Sequence, residues 1–228
     1  MGKQIKTNRS KSLNTSIQKT KNVFADLVRS IRIQTYIIYA VFFVILLLLV
    51  AFFDKFQLHL YINKYHSPFF DFFFKYATHL GDGIMFGVLG ILFFRIKRRM
   101  FFVFLTGGFL TLVVTYILKR IVFKGVPRPV EALGAEALHL IDGVKMAHWN
   151  SFPSGHTTAA FTIFTILSLY FYKSKLQYLW ISLAIIAGLS RVYLSQHFLV
   201  DVFVGSYIGI LLGFISMALL SNPKRVDQ

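Results

Sequence analysis

The sequence predicts an all-α, six-transmembrane helix bundle with an interfacial helix ahead of the second span. Three observations lead there. The chain of 228 residues is 56% hydrophobic and carries 26 Phe, with only 15% charged residues, against about 25% in an ordinary soluble domain. Its mean hydropathy is +0.62. Its apolar runs are close to a bilayer in length and are separated by polar or basic turns. This composition excludes a soluble globular domain, a disordered chain and a coiled coil. The absence of cysteine excludes disulfide frameworks, thiolate metal sites and a cysteine nucleophile.

Residues 1–32 are polar and basic, with eight Lys or Arg against Asp26. They read as a solvated or membrane-surface arm. The n-region is too long for a secretory signal, and no small-residue cleavage site follows the apolar run. Residues 33–220 form the membrane domain, and 221–228 a short tail. The first span, Ile33 to Phe53, is 21 residues, about 31 Å of helix. Ser67-Pro68 offers an N-cap and a first-turn proline. It opens an aromatic interfacial helix carrying Phe69, Phe70, Phe72, Phe73 and Phe74,. Gly81-Asp82-Gly83 breaks that helix. Span 2, about 84–94, is short and borrows length from the segment before it. Spans 3 to 6 are expected at about 100–118, 154–172, 176–193 and 198–220, with a polar loop over 119–152.

Six spans put both termini on one side. That side collects 16 basic residues against Asp26 and Asp227, while the other side holds nine basic and seven acidic residues. The positive-inside rule places both termini in the cytoplasm. The charge of +16 and the pI near 10.1 are then mostly a topology signal, and a nucleic-acid partner is not expected. On the outward side four cations crowd together: Lys119, Arg120, Lys124 and Arg128. Such a group at a translocated helix end calls for an anionic ligand.

Three patches fall on that outward face. The first runs from Lys119 to Arg128-Pro129. Its Arg forks and Lys charges match phosphate oxygens, although a snorkelling anchor explains them equally well in isolation. The second, Pro153-Ser154-Gly155-His156, opens a helix. Free N–H groups, a Gly that admits close approach and a Ser hydroxyl make a phosphate seat there. An ordinary Ser cap beside an interfacial His is the simpler local account. In the third patch, Ser190-Arg191 precedes His197 and Asp201. Four-residue spacing puts His197 and Asp201 on one helix face. A carboxylate there fixes the imidazole tautomer and frees the other nitrogen for attack. Together the patches supply two His, an Asp, several cations and a helix N-terminus. That is equipment for phosphoryl transfer without a metal or other cofactor.

These residues resemble the tripartite signature of the type 2 phosphatidic acid phosphatase (PAP2) superfamily: Lys-x6-Arg-Pro, Pro-Ser-Gly-His and Ser-Arg-x5-His-x3-Asp. The second motif matches at 153–156 and the third at Ser190, Arg191, His197 and Asp201. The first departs. Lys119 lies nine residues before Arg128, as if two residues were inserted, and Arg120 and Lys124 are rivals for its place. The resemblance implies a PAP2/haloperoxidase-like core acting as an integral membrane lipid phosphatase. In that family role His197 is the nucleophile and forms a phosphohistidine. Asp201 orients it, and His156 protonates the leaving group and then activates water. Lys119, Arg128, Ser154, Gly155 and Arg191 hold phosphoryl oxygens, and no metal is required. The implied partner is a phosphorylated lipid in the bilayer: phosphatidate, phosphatidylglycerophosphate, undecaprenyl pyrophosphate or a lipid A-type glycolipid. Alternatives are phosphoryl transfer to a second lipid and a non-catalytic anion-binding membrane protein. Residues 130–152 are expected to be a solvated connector that could cap the site. Tyr116 and Tyr193 read as belt aromatics, and Gly107-Gly108 as a helix-packing site.

Overall fold

The computed structural model describes residues 25–29 and 31–220. The remaining basic arm and the 221–228 tail lie outside the described residues. Residues 25–29 are helical, and Leu27 and Ile31 are buried against the bundle.

After this segment nine α-helices follow one another among the described residues. They are α1 (Ile33–Phe52), α2 (Lys55–Asn63), α3 (Pro68–Ala77), α4 (Ile84–Ile96), α5 (Arg98–Ile117), α6 (Pro129–Leu133), α7 (Gly155–Tyr170), α8 (Leu176–Tyr193) and α9 (Leu199–Leu220). Among the same residues there is no strand. Local chemistry sets several boundaries. Asp54 caps α2, accepting from the N–H groups of Phe56 and Gln57. Ser67 caps α3 and Pro68 fills its first turn,. The hydropathy pattern gives no sign of α2, whose sequence mixes polar and apolar residues without a long run.

Length and composition support four membrane-crossing helices, α1, α5 with the turn after it, α8 and α9. A fifth arises if the bent pair Pro68–Gly81 and Ile84–Ile96, angled at 63°, counts as one broken span. The expected six spans are therefore not met by this measure. The helix that falls short is α7, with 16 residues, about 24 Å. Its position accounts for this. Residues Thr157 through Leu169 are all buried, so α7 is sheathed by other helices along its length and presents little surface to lipid.

The bundle is built around α7, which packs most extensively on α9 and α8. The contact with α9 runs along Gly205, Gly209 and Gly213 at four-residue spacing. A Cβ on Gly209 would lie 2.5 Å from the Thr158 carbonyl oxygen, and one on Gly213 2.7 Å from Thr165 Cβ. The close approach lets Thr162 donate its hydroxyl to the Gly209 carbonyl at 3.1 Å. Gly107 and Gly108 of α5 similarly face Ile166 and Phe86. The break between α3 and α4 packs on the start of α7, where a Cβ on Gly81 would meet the His156 carbonyl oxygen at 2.5 Å.

Gly209→Ala is expected to push α9 off α7 at a cost of about 2 kcal/mol, seen as a lower Tm of the detergent-solubilised protein. Gly87→Ala, where nothing lies within 4 Å, is the matched control and should leave Tm unchanged.

Candidate active site

The three sequence patches meet at a cavity of about 460 Å³. Lys119, Arg128, Gly155, His156, Arg191 and His197 all line it. Gly155 and His156 reach it from the start of α7, and the other four from four separate places along the chain.

His197 sits in the turn between α8 and α9, and Asp201 in the first turn of α9. Both are buried. His197 Nδ1 is 3.2 Å from Asp201 Oδ2. The same carboxylate oxygen accepts the Phe198 N–H at 3.1 Å and the Ser151 hydroxyl at 2.5 Å. Ser151 Oγ is itself 3.3 Å from His197 Nδ1. One imidazole nitrogen is thus committed to Asp201 and Ser151, which leaves Nε2 as the nitrogen available for attack. Burial and the neighbouring charges of Lys119, Arg128 and Arg191 hold the His197 imidazole well below its usual range. The neutral form of the ring is therefore favoured, which keeps the Nε2 lone pair free.

The turn carrying His197 is held from below. His59 and Asn63 of α2 both bond to Ser195 Oγ at 3.1 Å, and Ser195 has a positive φ of 49°. Burial lowers the His59 pKa to about 4, so this support is an uncharged network.

The three cations share one property: their partners are neutral. Lys119 Nζ donates to the carbonyls of Asn150 at 3.2 Å and Ser151 at 3.5 Å. Arg128 donates to the Trp149 carbonyl and to Gln196. Arg191 donates to Thr78 Oγ1 and Gln196 Oε1, and its buried Nε has no partner among the described residues. Carbonyls and hydroxyls orient these side chains without cancelling their charge, so the cavity is preorganised for an anion.

The first-motif spacing has a structural counterpart. Residues Leu118–Val122 form a π-helical turn, which accommodates extra residues at the end of α5. That turn carries Lys119 to the cavity, whereas Arg120 and Lys124 are exposed and do not line it. Gly155 begins α7 with only Lys119 Cε near the position of a Cβ, at 3.8 Å. Ser154 departs from expectation. It is fully buried, is not among the cavity-lining residues, and its hydroxyl accepts from the Thr157 N–H and hydroxyl. Its place in the structure is that of the α7 cap.

His156 has a partner that the motif reading did not supply. Its Nε2 lies 2.8 Å from Asp82 Oδ1, and Asp82 Oδ2 lies 2.6 Å from His79 Nδ1. Asp82 is an acid between two glycines in an apolar stretch, a sequence signal for function. Ser151, Gln196 and Thr78 carried no comparable signal, because nothing local distinguishes them from other polar loop residues.

Two further expectations change. Residues 143–147, in the loop between α6 and α7, line the cavity, so the loop is more than a connector. Arg128 N–H to the His148 carbonyl and Ser151 N–H to the Val126 carbonyl tie its two ends together. Tyr193 is more than a belt aromatic, since its hydroxyl donates to Asp71 Oδ1 at 2.6 Å.

Comparison with known proteins follows the same residues. Residues 99–225 match the sequence profile of the PAP2 superfamily. Phosphatidylglycerophosphatase B of Bacillus subtilis (strain 168) is 33% identical over 87 residues, 34% of this chain and 43% of that protein. Undecaprenyl-diphosphatase BcrC of the same organism is 30% identical over 110 residues, 47% of this chain and 51% of that protein. The chain thus aligns with about half the length of these curated relatives, or less. The crystal structure of Aquifex aeolicus LpxE superposes with a TM-score of 0.60 and 34% identity, covering 71% of this chain and 93% of that one. The fold, the motif-bearing cavity and these matches lead to one statement: this chain is a multi-pass membrane protein belonging to the PAP2 superfamily.

Proposed function

We propose that the protein is a membrane lipid phosphatase that removes phosphate from a lipid phosphate or pyrophosphate through a phosphohistidine. The observation that carries this reading is the convergence of the His197–Asp201 pair, His156 and three cations with neutral partners on one cavity. The names of the relatives, a phosphatidylglycerophosphatase and an undecaprenyl-diphosphatase, support phosphatidylglycerophosphate and undecaprenyl pyrophosphate as the first substrates to test. Phosphatidate and lipid A-type phosphates come next.

In the first step His197 Nε2 attacks phosphorus. The P–N bond forms as the bond to the leaving oxygen breaks, and His156 gives that oxygen its proton. Asp201 stabilises the positive charge that appears on His197, while Lys119, Arg128 and Arg191 balance the equatorial oxygens. In the second step His156 takes a proton from water. The water oxygen attacks phosphorus, the P–N bond breaks, and inorganic phosphate leaves. Asp82 holds the His156 ring and favours its protonated form, so it is a positioning residue for the acid.

The charge asymmetry of the sequence supports cytoplasmic termini and a cavity facing outward from the cytoplasmic membrane. In this arrangement α7, fourth in chain order, crosses within the bundle despite its length and brings the spans to six. The exposed aromatic face of α3, with Phe69 and Phe72, would flank the lipid tails beside the cavity mouth.

Phosphate release by the detergent-purified protein is expected to persist in EDTA and to fall about a thousandfold or more in His197→Ala. Full activity in a folded His197→Ala protein would rule out the nucleophile. Lys119→Ala should lower kcat/KM about a hundredfold, with Arg120→Ala and Lys124→Ala within about threefold; the reverse order would move the first-motif role to one of the rivals. Asp82→Asn should slow alkyl-phosphate substrates about tenfold to a hundredfold and p-nitrophenyl phosphate much less, because only the poor leaving group needs the acid. An equal loss on both substrates would make Asp82 merely structural.

A further inference from the structure

Outside the phosphate cavity, one cluster of side chains is assembled from three separate segments. His66 lies in the link between α2 and α3, Asp71 lies on α3, and His139 lies in the loop between α6 and α7. Among the described residues this is the group whose ligand atoms, two imidazole nitrogens and a carboxylate oxygen, all fall within 4.8 Å of one another. His139 Nε2 is 3.0 Å from Asp71 Oδ2. The His66 and His139 rings stack at 3.7 Å between centroids and 6° between planes.

The surroundings fix these groups. Tyr193 donates to the other Asp71 oxygen at 2.6 Å, which holds the carboxylate and leaves Oδ2 turned to His139. Asn63 clamps the His139 backbone from both sides, accepting its N–H at 2.7 Å and donating to its carbonyl at 3.1 Å. Oriented donors with hydrogen-bonded outer partners are the arrangement that metal ligands use. Two imidazoles and one carboxylate with a position left for water suit Zn²⁺. The ligand atoms, now within 4.8 Å of one another, must close to the roughly 3.3 Å separating ligands of a tetrahedral zinc, a step in which the exposed His66 ring leaves its stack on His139.

We propose that His66, Asp71 and His139 form a zinc site that fastens the α6–α7 loop to α3. The loop it anchors continues into residues 143–147, which line the cavity, and Lys75 of α3 donates to the Asp142 carbonyl beside them. Zinc there orders the wall over the phosphate cavity and takes no part in the chemistry. The site does not depend on the phosphatase reading, and its test uses no turnover.

The experiment uses full-length protein purified on a tag without histidines, stripped with EDTA, and titrated with Zn²⁺ alone. The wild type should bind one equivalent and gain about 5 °C in Tm, and Co²⁺ should give the visible absorption of a tetrahedral site. His66→Gln, at an exposed position, and Asp71→Asn should lose the shift and the absorption. His148→Gln, whose ring pairs with Glu131 instead, should keep both. No Zn²⁺-dependent shift in the wild type would overturn the site, and so would a shift that survives in His66→Gln and locates the metal elsewhere.

Discussion

The structure depends on uncancelled positive charge. Lys119, Arg128 and Arg191 point into one cavity, and each is held by carbonyl, amide or hydroxyl oxygen. Carboxylate partners would have made the same fold easier to assemble, because a charge with no counter-ion is expensive to desolvate. Neutral partners keep the charge available to a ligand while fixing where it sits. Gln196 makes the arrangement explicit: its side-chain oxygen accepts from both Arg128 and Arg191, so a single neutral residue spaces two guanidinium groups. The carboxylates present are committed to histidines, Asp201 to His197 and Asp82 to His156 and His79.

The helix bundle exists to hold that arrangement. The glycine stripe of α9 lets it pass close to α7, and this brings the first turns of both helices together. The Ser154 N–H bonds to the Asp201 backbone carbonyl at 3.0 Å, so the cap of α7 and the first turn of α9 are joined directly by one hydrogen bond. The break after α3 serves the same end. It packs Gly81 on His156 and delivers Asp82 to its ring, which a straight span could not do. Irregular backbone at membrane depth is tolerated where it is buried in protein or lines a cavity, and both exceptions here, this break and the π turn at Lys119, lie at the cavity.

What the sequence revealed follows from the range of each interaction. Helix-periodic and local signals were legible: the Ser67 cap, the limits of α1 and α8, and the four-residue pairing of His197 with Asp201. The signature motifs placed six residues at one cavity from sequence order alone. Contacts between distant segments were not legible. Ser151 reaches Asp201 across fifty residues, and Asp82 reaches His156 from a different helix pair. Ser154 was read as a ligand because a cap and a phosphate donor share the same sequence. By length alone the span count stops short at α7 for a related reason. Hydropathy reports how apolar a helix is, and a helix sheathed by its neighbours satisfies that test without needing bilayer length.

The central proposal is covalent: that phosphorus passes through His197. The direct measurement is to quench the protein during turnover of a phosphorus-labelled lipid and map the label by peptide mass spectrometry. The account predicts an acid-labile, alkali-stable phosphate on the peptide containing His197, appearing within one turnover and disappearing as free phosphate is released. Steady turnover with no phosphate on that peptide at any quench time, or a label on His156 instead, would contradict it.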